Sequence, residues 1–298
     1  MKHKYIVPVI TALNKDGSID TNGNVTVYRH LMKNGVDGFL VMGSTGEFCF
    51  MSKEERMALI EIASQELAGK TEFYVGTGGM DAGDTIELSD FALNHGADGV
   101  MIVTPYYLPM DARDIIAFYD RVVPQISGSV YIYNIPQATS QDITPEIVLE
   151  LCRKHANIVG IKDSVIDFAH TNAVMQAVRP EFPDFQVFTG MDFNFAYTVS
   201  AGGNGCIGGL ANVVPELCNR IVCSADAGDA HGLEKLQNAI VRLMPIYGIG
   251  GKSFIPSIKK AMQLRGVPIE DTCKFPVQPI PDSCVIALKD LMEKENLI

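Results

Sequence analysis

Eight short apolar runs recur along the first 209 residues, and a helical pattern separates each from the next. The runs are YIVPVI (5–10), GFLVMG (38–43), TEFYVGTG (71–78), GVMIVTP (99–105), SVYIYN (129–134), NIVGIK (157–162), FQVFTG (185–190) and GCIGG (205–209). Helical patterns occupy 22–35, 52–68, 82–95, 111–126, 144–155, 167–179, 192–202 and 213–223. Apolar runs without polar alternation suit strands buried on both faces, as in a parallel sheet covered by helices. Strands joined through helices pair in parallel by right-handed crossovers. Eight such units in about 220 residues predict an α/β fold, a closed (β/α)8 TIM barrel. An open doubly wound sheet is the competitor. It usually carries GxGxxG after its first strand, and none is found there.

Local signals agree with this spacing. Ser52 with Glu55 three residues on forms a capping box, and Thr144-Pro145 reads as an N-cap with proline at the first helical position. KNGVDGF (33–39) and NHGADGV (94–100) each end a helix on glycine and enter a strand, a weak internal repeat of one βα unit. The strand pattern stops near residue 224. Residues 1–224 read as the barrel, and 225–298 as an extension with helices at roughly 228–245, 253–265 and 281–294, packed on the barrel. With 47% hydrophobic residues the chain of 298 can bury a large core. A net charge of −11 and no basic patch argue against nucleic acid as a partner. The apolar runs are too short to span a membrane, and MKHKYIVPVITALN reads as a first strand rather than a leader. Seven cysteines, with no CxxC pair, read as reduced thiols of a cytoplasmic protein. The six histidines form no HxH or HxxxH pair, so no metal site is expected.

Chemistry in such a barrel sits at the C-terminal ends of the strands. There the sequence puts GSTGE (43–47), TPYY (104–107), YNIP (133–136), Lys162, TGMD (189–192) and GCIGG. Lys162 ends an apolar strand. Burial disfavours the charged form of an amine, and a neutral amine is a nucleophile toward carbonyls. Its protonated imine is an electron sink that stabilises the carbanion left when a neighbouring C–C bond breaks. The competing reading is a lysine that reaches solvent or pairs with Asp163, although alternation turns Asp163 to the other face. Tyr133 ends the neighbouring strand, where a phenol can shuttle a proton or merely pack on a helix. Ser44 and Thr45 lie in a small-residue turn suited to a carboxylate, or simply in a loop whose Glu47 caps a helix. GIGGKSF (248–254) lacks phosphate-loop spacing and reads as a turn and N-cap. Asp167 and His170 read as helix-surface residues.

Together these pieces resemble the pyruvate-dependent class I aldolases and lyases grouped with dihydrodipicolinate synthase and N-acetylneuraminate lyase. The likeness runs from PVITALNKDGSID and GVDGFLVMGSTGEFCFMSKEER through HGADGVMIVTPYY, YIYNIP and GIKDS to the C-terminal helices. The resemblance implies that Lys162 is the Schiff-base lysine that condenses with the C2 carbonyl of pyruvate. It implies that Tyr133 relays protons and that Ser44 and Thr45 hold the pyruvate carboxylate. Ile207 matches a residue whose backbone carbonyl lies beside the pyruvate site. Tyr107 matches a tyrosine that the synthase branch lends across a subunit interface. The family also implies a homotetramer built as a dimer of dimers, and no cofactor beyond the covalent imine with pyruvate.

Departures from the family pattern narrow the substrate. Ala138 stands where the synthase branch carries an arginine for the aldehyde's carboxylate, so a bidentate clamp is missing. Asp192 is followed by Phe193 where the sialic acid branch has glutamate, and Gly209 stands at its serine. YNIPQAT and GIKDS resemble the 2-keto-3-deoxy sugar acid aldolases, with Asn134, Ser164, Gly190 and Asp192 as candidates for binding an open-chain sugar acid. The expected reaction is reversible aldol cleavage to pyruvate and a short aldehyde. The alternatives are 4-hydroxy-tetrahydrodipicolinate synthesis, N-acetylneuraminate cleavage, and a silent sensor of 2-oxo acids. Retention of both Lys162 and Tyr133 argues against the last.

Overall fold

A computed structural model describes residues 2–298. Eight parallel strands close on themselves in chain order: β1 (Lys4–Pro8), β2 (Gly38–Val41), β3 (Glu72–Gly76), β4 (Gly99–Val103), β5 (Val130–Asn134), β6 (Ile158–Asp163), β7 (Gln186–Thr189) and β8 (Gly205–Ile207). Each expected strand is present. The helices are α1 (Thr21–Lys33), α2 (Lys53–Leu67), α3 (Ala82–Asn94), α4 (Ala112–Val122), α5 (Pro136–Thr139), α6 (Pro145–Lys154), α7 (Phe168–Val178), α8 (Phe195–Ser200) and α9 (Pro215–Asp226). Then follow α10 (Ala230–Leu243), α11 (Ile255–Leu264) and α12 (Asp282–Lys294). The single turn α5 had no sequence signal beyond Pro136.

The strands are buried on both faces because side chains fill the barrel on one side and helices cover the other. The weak repeat has a structural basis. Gly35 and Gly96 adopt φ of +80° and +86°, which ends α1 and α3 at little cost. The aspartate that follows then ties the new strand to its neighbour. Asp37 accepts the Tyr5 N–H at 2.9 Å, and Asp98 accepts the Phe73 N–H at 2.8 Å. The Ser52–Glu55 capping box forms in both directions. Thr144 stands at the N-cap of α6, but its hydroxyl makes no cap bond.

The helices after α9 reach back over the barrel. α10 packs on the Asp192–Asn194 turn and α8, and α11 packs on the Gly209–Asn212 turn that follows β8. Among the described residues no helix is long and apolar enough to cross a membrane.

Candidate active site

Lys162 and Tyr133 occupy the penultimate positions of β6 and β5 and are paired in register. Both are buried, and the Lys162 Nζ lies 4.3 Å from the centre of the Tyr133 ring. Lys162 has no carboxylate partner and no hydrogen bond to any described residue, so the aromatic face is its main neighbour. Asp163, the next residue, points outward. It accepts from Thr171 at 2.6 Å, from Asn134 at 3.0 Å and from the His170 ring at 2.9 Å. The pleat thus separates an amine inside the barrel from a carboxylate behind it.

The turn after β2 brings hydroxyls to the same place. Ser44 Oγ lies 3.3 Å from the Tyr133 hydroxyl, and Thr45 is buried in the cavity wall. This turn carries strain, since Met42 and Glu47 on either side have φ of +58° and +62°. Gly76 on β3 admits it, because a Cβ there would meet the Met42 carbonyl oxygen at 2.2 Å. Glu47 anchors it from below. Its carboxylate accepts from Lys259 of α11 at 2.5 Å and from the Lys274 N–H at 2.6 Å. The cap role expected of Glu47 is therefore replaced by a fully buried ion pair.

The cavity wall also contains Ser164, Gly190, Asp192 and Ile207. Gly190 packs closely on Ser164: a Cβ there would lie 1.9 Å from the Ser164 Oγ, so any side chain at 190 would make that hydroxyl turn away. Asp192 is buried and already engaged. Its Oδ1 accepts from the Tyr5 hydroxyl at 2.5 Å and the Leu210 N–H at 3.1 Å, and its Oδ2 accepts from the Tyr247 hydroxyl at 2.7 Å. Three of roughly four acceptor sites are used. Burial pushes this carboxyl above the usual carboxylate range, although the bonds from Tyr5, Tyr247 and Leu210 pull the other way. The cavity has a volume of about 480 Å³, far larger than pyruvate needs.

Two expected site residues lie elsewhere. Asn134 faces outward, donating to Asp142 and Asp163 and accepting from the Ile143 N–H, so it binds no substrate hydroxyl. Tyr107 is 82% exposed and does not line this chain's cavity. His170 is half-buried rather than on the helix surface: it is wedged against Asp163, with Asp142 3.4 Å from its other ring nitrogen. Asp167 caps α7 by accepting from the Ala169 N–H. Conversely, the C-terminal extension contributes wall residues that the sequence did not reveal: Met244, Tyr247, Lys252 and Phe254. GIGGKSF is a turn, as expected, but Phe254 holds the N-cap position without a side-chain bond, and Lys252 lines the cavity.

A closed (β/α)8 barrel with an unpaired lysine beside a tyrosine at its catalytic end defines a lyase of the class I aldolase type. The comparisons with known proteins agree. The chain belongs to the dihydrodipicolinate synthetase family, whose model matches residues 1–295. It is 32% identical to YagE of Escherichia coli K12, provisionally named a 2-dehydro-3-deoxy-D-gluconate aldolase, over 98% of this chain and 96% of that protein. It is 34% identical to YjhH of the same strain, provisionally named a 2-dehydro-3-deoxy-D-pentonate aldolase, over 91% of this chain and 90% of that one. The crystal structure of YagE in complex with pyruvate superposes with a TM-score of 0.96 at 31% identity, covering 99% of both chains.

Proposed function

We propose that the protein is a Schiff-base, pyruvate-dependent aldolase that reversibly cleaves a 2-keto-3-deoxy sugar acid to pyruvate and a short aldehyde. The observation that carries this reading is Lys162, buried against Tyr133 and without an anionic partner. The neutral amine attacks the C2 carbonyl, and loss of water gives a protonated imine. Tyr133, within 3.3 Å of the Ser44 hydroxyl, is suited to carry protons in both steps. Ser44 and Thr45 hold the C1 carboxylate. Removal of the C4 hydroxyl proton breaks the C3–C4 bond, and the electron pair moves into the imine as an enamine. The aldehyde leaves, C3 takes up a proton, and water releases pyruvate. The protonated imine is itself the electron sink, so no further cofactor takes part.

The names of YagE and YjhH support a sugar acid as substrate. Ala138 in the cavity wall supports it too, because a guanidinium clamp for the carboxylate of an amino acid aldehyde is missing there. The same reading takes 225–298 as an extension of the barrel and the protein as a cytoplasmic homotetramer, in which the exposed Tyr107 reaches a neighbouring subunit's cavity. The experiment is borohydride reduction in the presence of pyruvate, followed by digestion and mass mapping. A reduced pyruvate adduct on Lys162 is expected. A folded protein with no adduct would withdraw the reading.

A further inference from the structure

Two lysines line the cavity, and imine chemistry uses only one of them. Besides Lys162 it is lined by Lys252, from the loop 248–254 that precedes α11. Lys252 is exposed to solvent as well as lining the cavity, and it has no ion pair with any described residue. The remaining charged wall residue is Asp192, on which Tyr5, Tyr247 and the Leu210 N–H already converge.

The loop before α11 follows a backbone path that calls for glycine. Gly250 and Gly251 just before it adopt φ of +100° and +124°, conformations that L side chains rarely enter. Gly250 is also pressed against Ile280, since a Cβ there would lie 2.3 Å from the Ile280 Cγ2. The extension is thus folded so that residue 252 stands in the cavity wall. A sugar acid held as an imine on Lys162, with its C1 carboxylate at Ser44 and Thr45, has to extend its remaining carbons toward the other wall residues. Hydroxyls along the way can meet Ser164 and Gln137. A cation without a protein anion is complementary to a charge the ligand brings.

We propose that Lys252 recognises an anionic group, carboxylate or phosphate, at the far end of the aldehyde half of the substrate. This rests on the aldolase reading above and narrows its substrate to a sugar acid charged at both ends. A lysine of this kind sets specificity and takes no part in breaking the bond.

The test runs the reaction in the condensing direction with two matched pairs of aldehydes. D-glyceraldehyde 3-phosphate is set against D-glyceraldehyde, and succinate semialdehyde against its methyl ester, each with pyruvate. In at least one pair the wild-type kcat/KM should favour the charged member by about threefold or more, the scale of one charge pair open to solvent. The pair that responds identifies phosphate or carboxylate. Lys252→Met should bring that ratio close to one, and Lys252→Arg should keep most of it. The inference is overturned by a wild-type ratio near one in both pairs, by a ratio that Lys252→Met leaves unchanged, or by no turnover of either charged aldehyde. The wild-type pyruvate adduct on Lys162 separates the two failures. With the adduct present, these outcomes remove only the role of Lys252; without it, the aldolase reading falls and this inference with it.

Discussion

Two lysines are buried in this barrel, and they are buried in opposite ways. Lys259, fully buried on α11, has Glu47 at 2.5 Å and the Thr272 carbonyl at 2.7 Å, an arrangement that joins the C-terminal extension to the turn after β2. Lys162, 4% exposed at the end of β6, has neither a carboxylate nor a carbonyl, only the face of Tyr133. Burial alone therefore does not mark a functional amine. What distinguishes the two is whether the fold supplies the counter-charge. A lysine whose fold supplies the partner is a structural pin; a lysine denied one is left free to meet a ligand.

Removing each lysine should expose this contrast, first in activity. Lys162→Met should lower aldol cleavage by about 10⁴-fold or more, since the covalent route is lost. The same substitution should hold or raise stability, by about 1 kcal/mol, because an unpaired buried amine is replaced by a thioether of similar length. Pyruvate release and a urea titration on one preparation check both. Activity within tenfold of wild type, or a marked loss of stability, would put Lys162 in the same class as Lys259.

Lys259→Met should do the reverse. It leaves Glu47 charged, buried and short of its main partner, which costs about 3–5 kcal/mol for a pair of this type. Glu47→Gln combined with Lys259→Met should recover most of that loss, because the amide oxygen can still accept the Lys274 N–H that Glu47 now accepts at 2.6 Å. Urea midpoints of the two singles and the double complete the cycle. Purely additive losses would mean that the pair contributes packing rather than charge.

The comparison also shows what could be read from the chain. A lysine ending an apolar strand is visible in NIVGIK, and the alternation of strands is enough to turn Asp163 away from it. The same rule applied one strand earlier turns Asn134 away as well, and there it serves Asp142, Asp163 and the Ile143 N–H instead of a substrate. Asp192 is different. Its two tyrosine partners stand 187 and 55 residues away, and no local pattern shows that its oxygens are occupied. The Lys259–Glu47 pair spans 212 residues and is equally invisible to a local pattern, in which Glu47 reads only as a helix cap. Lys252 sits in an irregular loop, where neither period 2 nor period 3.6 tells which way a side chain points. Strand order is a local property repeated eight times, whereas the outer half of the cavity depends on how the extension folds back.

The smallest expected effect concerns the carboxylate that Lys162 does not have. Asp163 is its neighbour in sequence but is held behind the sheet by Asn134, Thr171 and His170. Burial draws the His170 ring toward neutrality, but the hydrogen bond and charge of Asp163, with Asp142 beside it, outweigh this and lift the ring above an ordinary histidine. Because the folded-state value is the higher one, the charged ring contributes stability in full below the unfolded histidine value of about 6.5. That contribution is lost as pH rises through the folded value. His170→Gln should therefore be less stable than wild type by about 1 kcal/mol at pH near 6, the scale of one hydrogen bond between charged groups in a half-open site. The gap should narrow at pH near 9, since the contribution fades as pH rises through the folded value. Urea midpoints of both proteins at the two pH values decide this, and a gap independent of pH would mean that His170 acts by packing. Pyruvate adduct formation on Lys162 should survive in the variant. The pleat keeps Asp163 on the outer face of β6 whatever stands at residue 170, and only a register slip would bring the carboxylate to the amine.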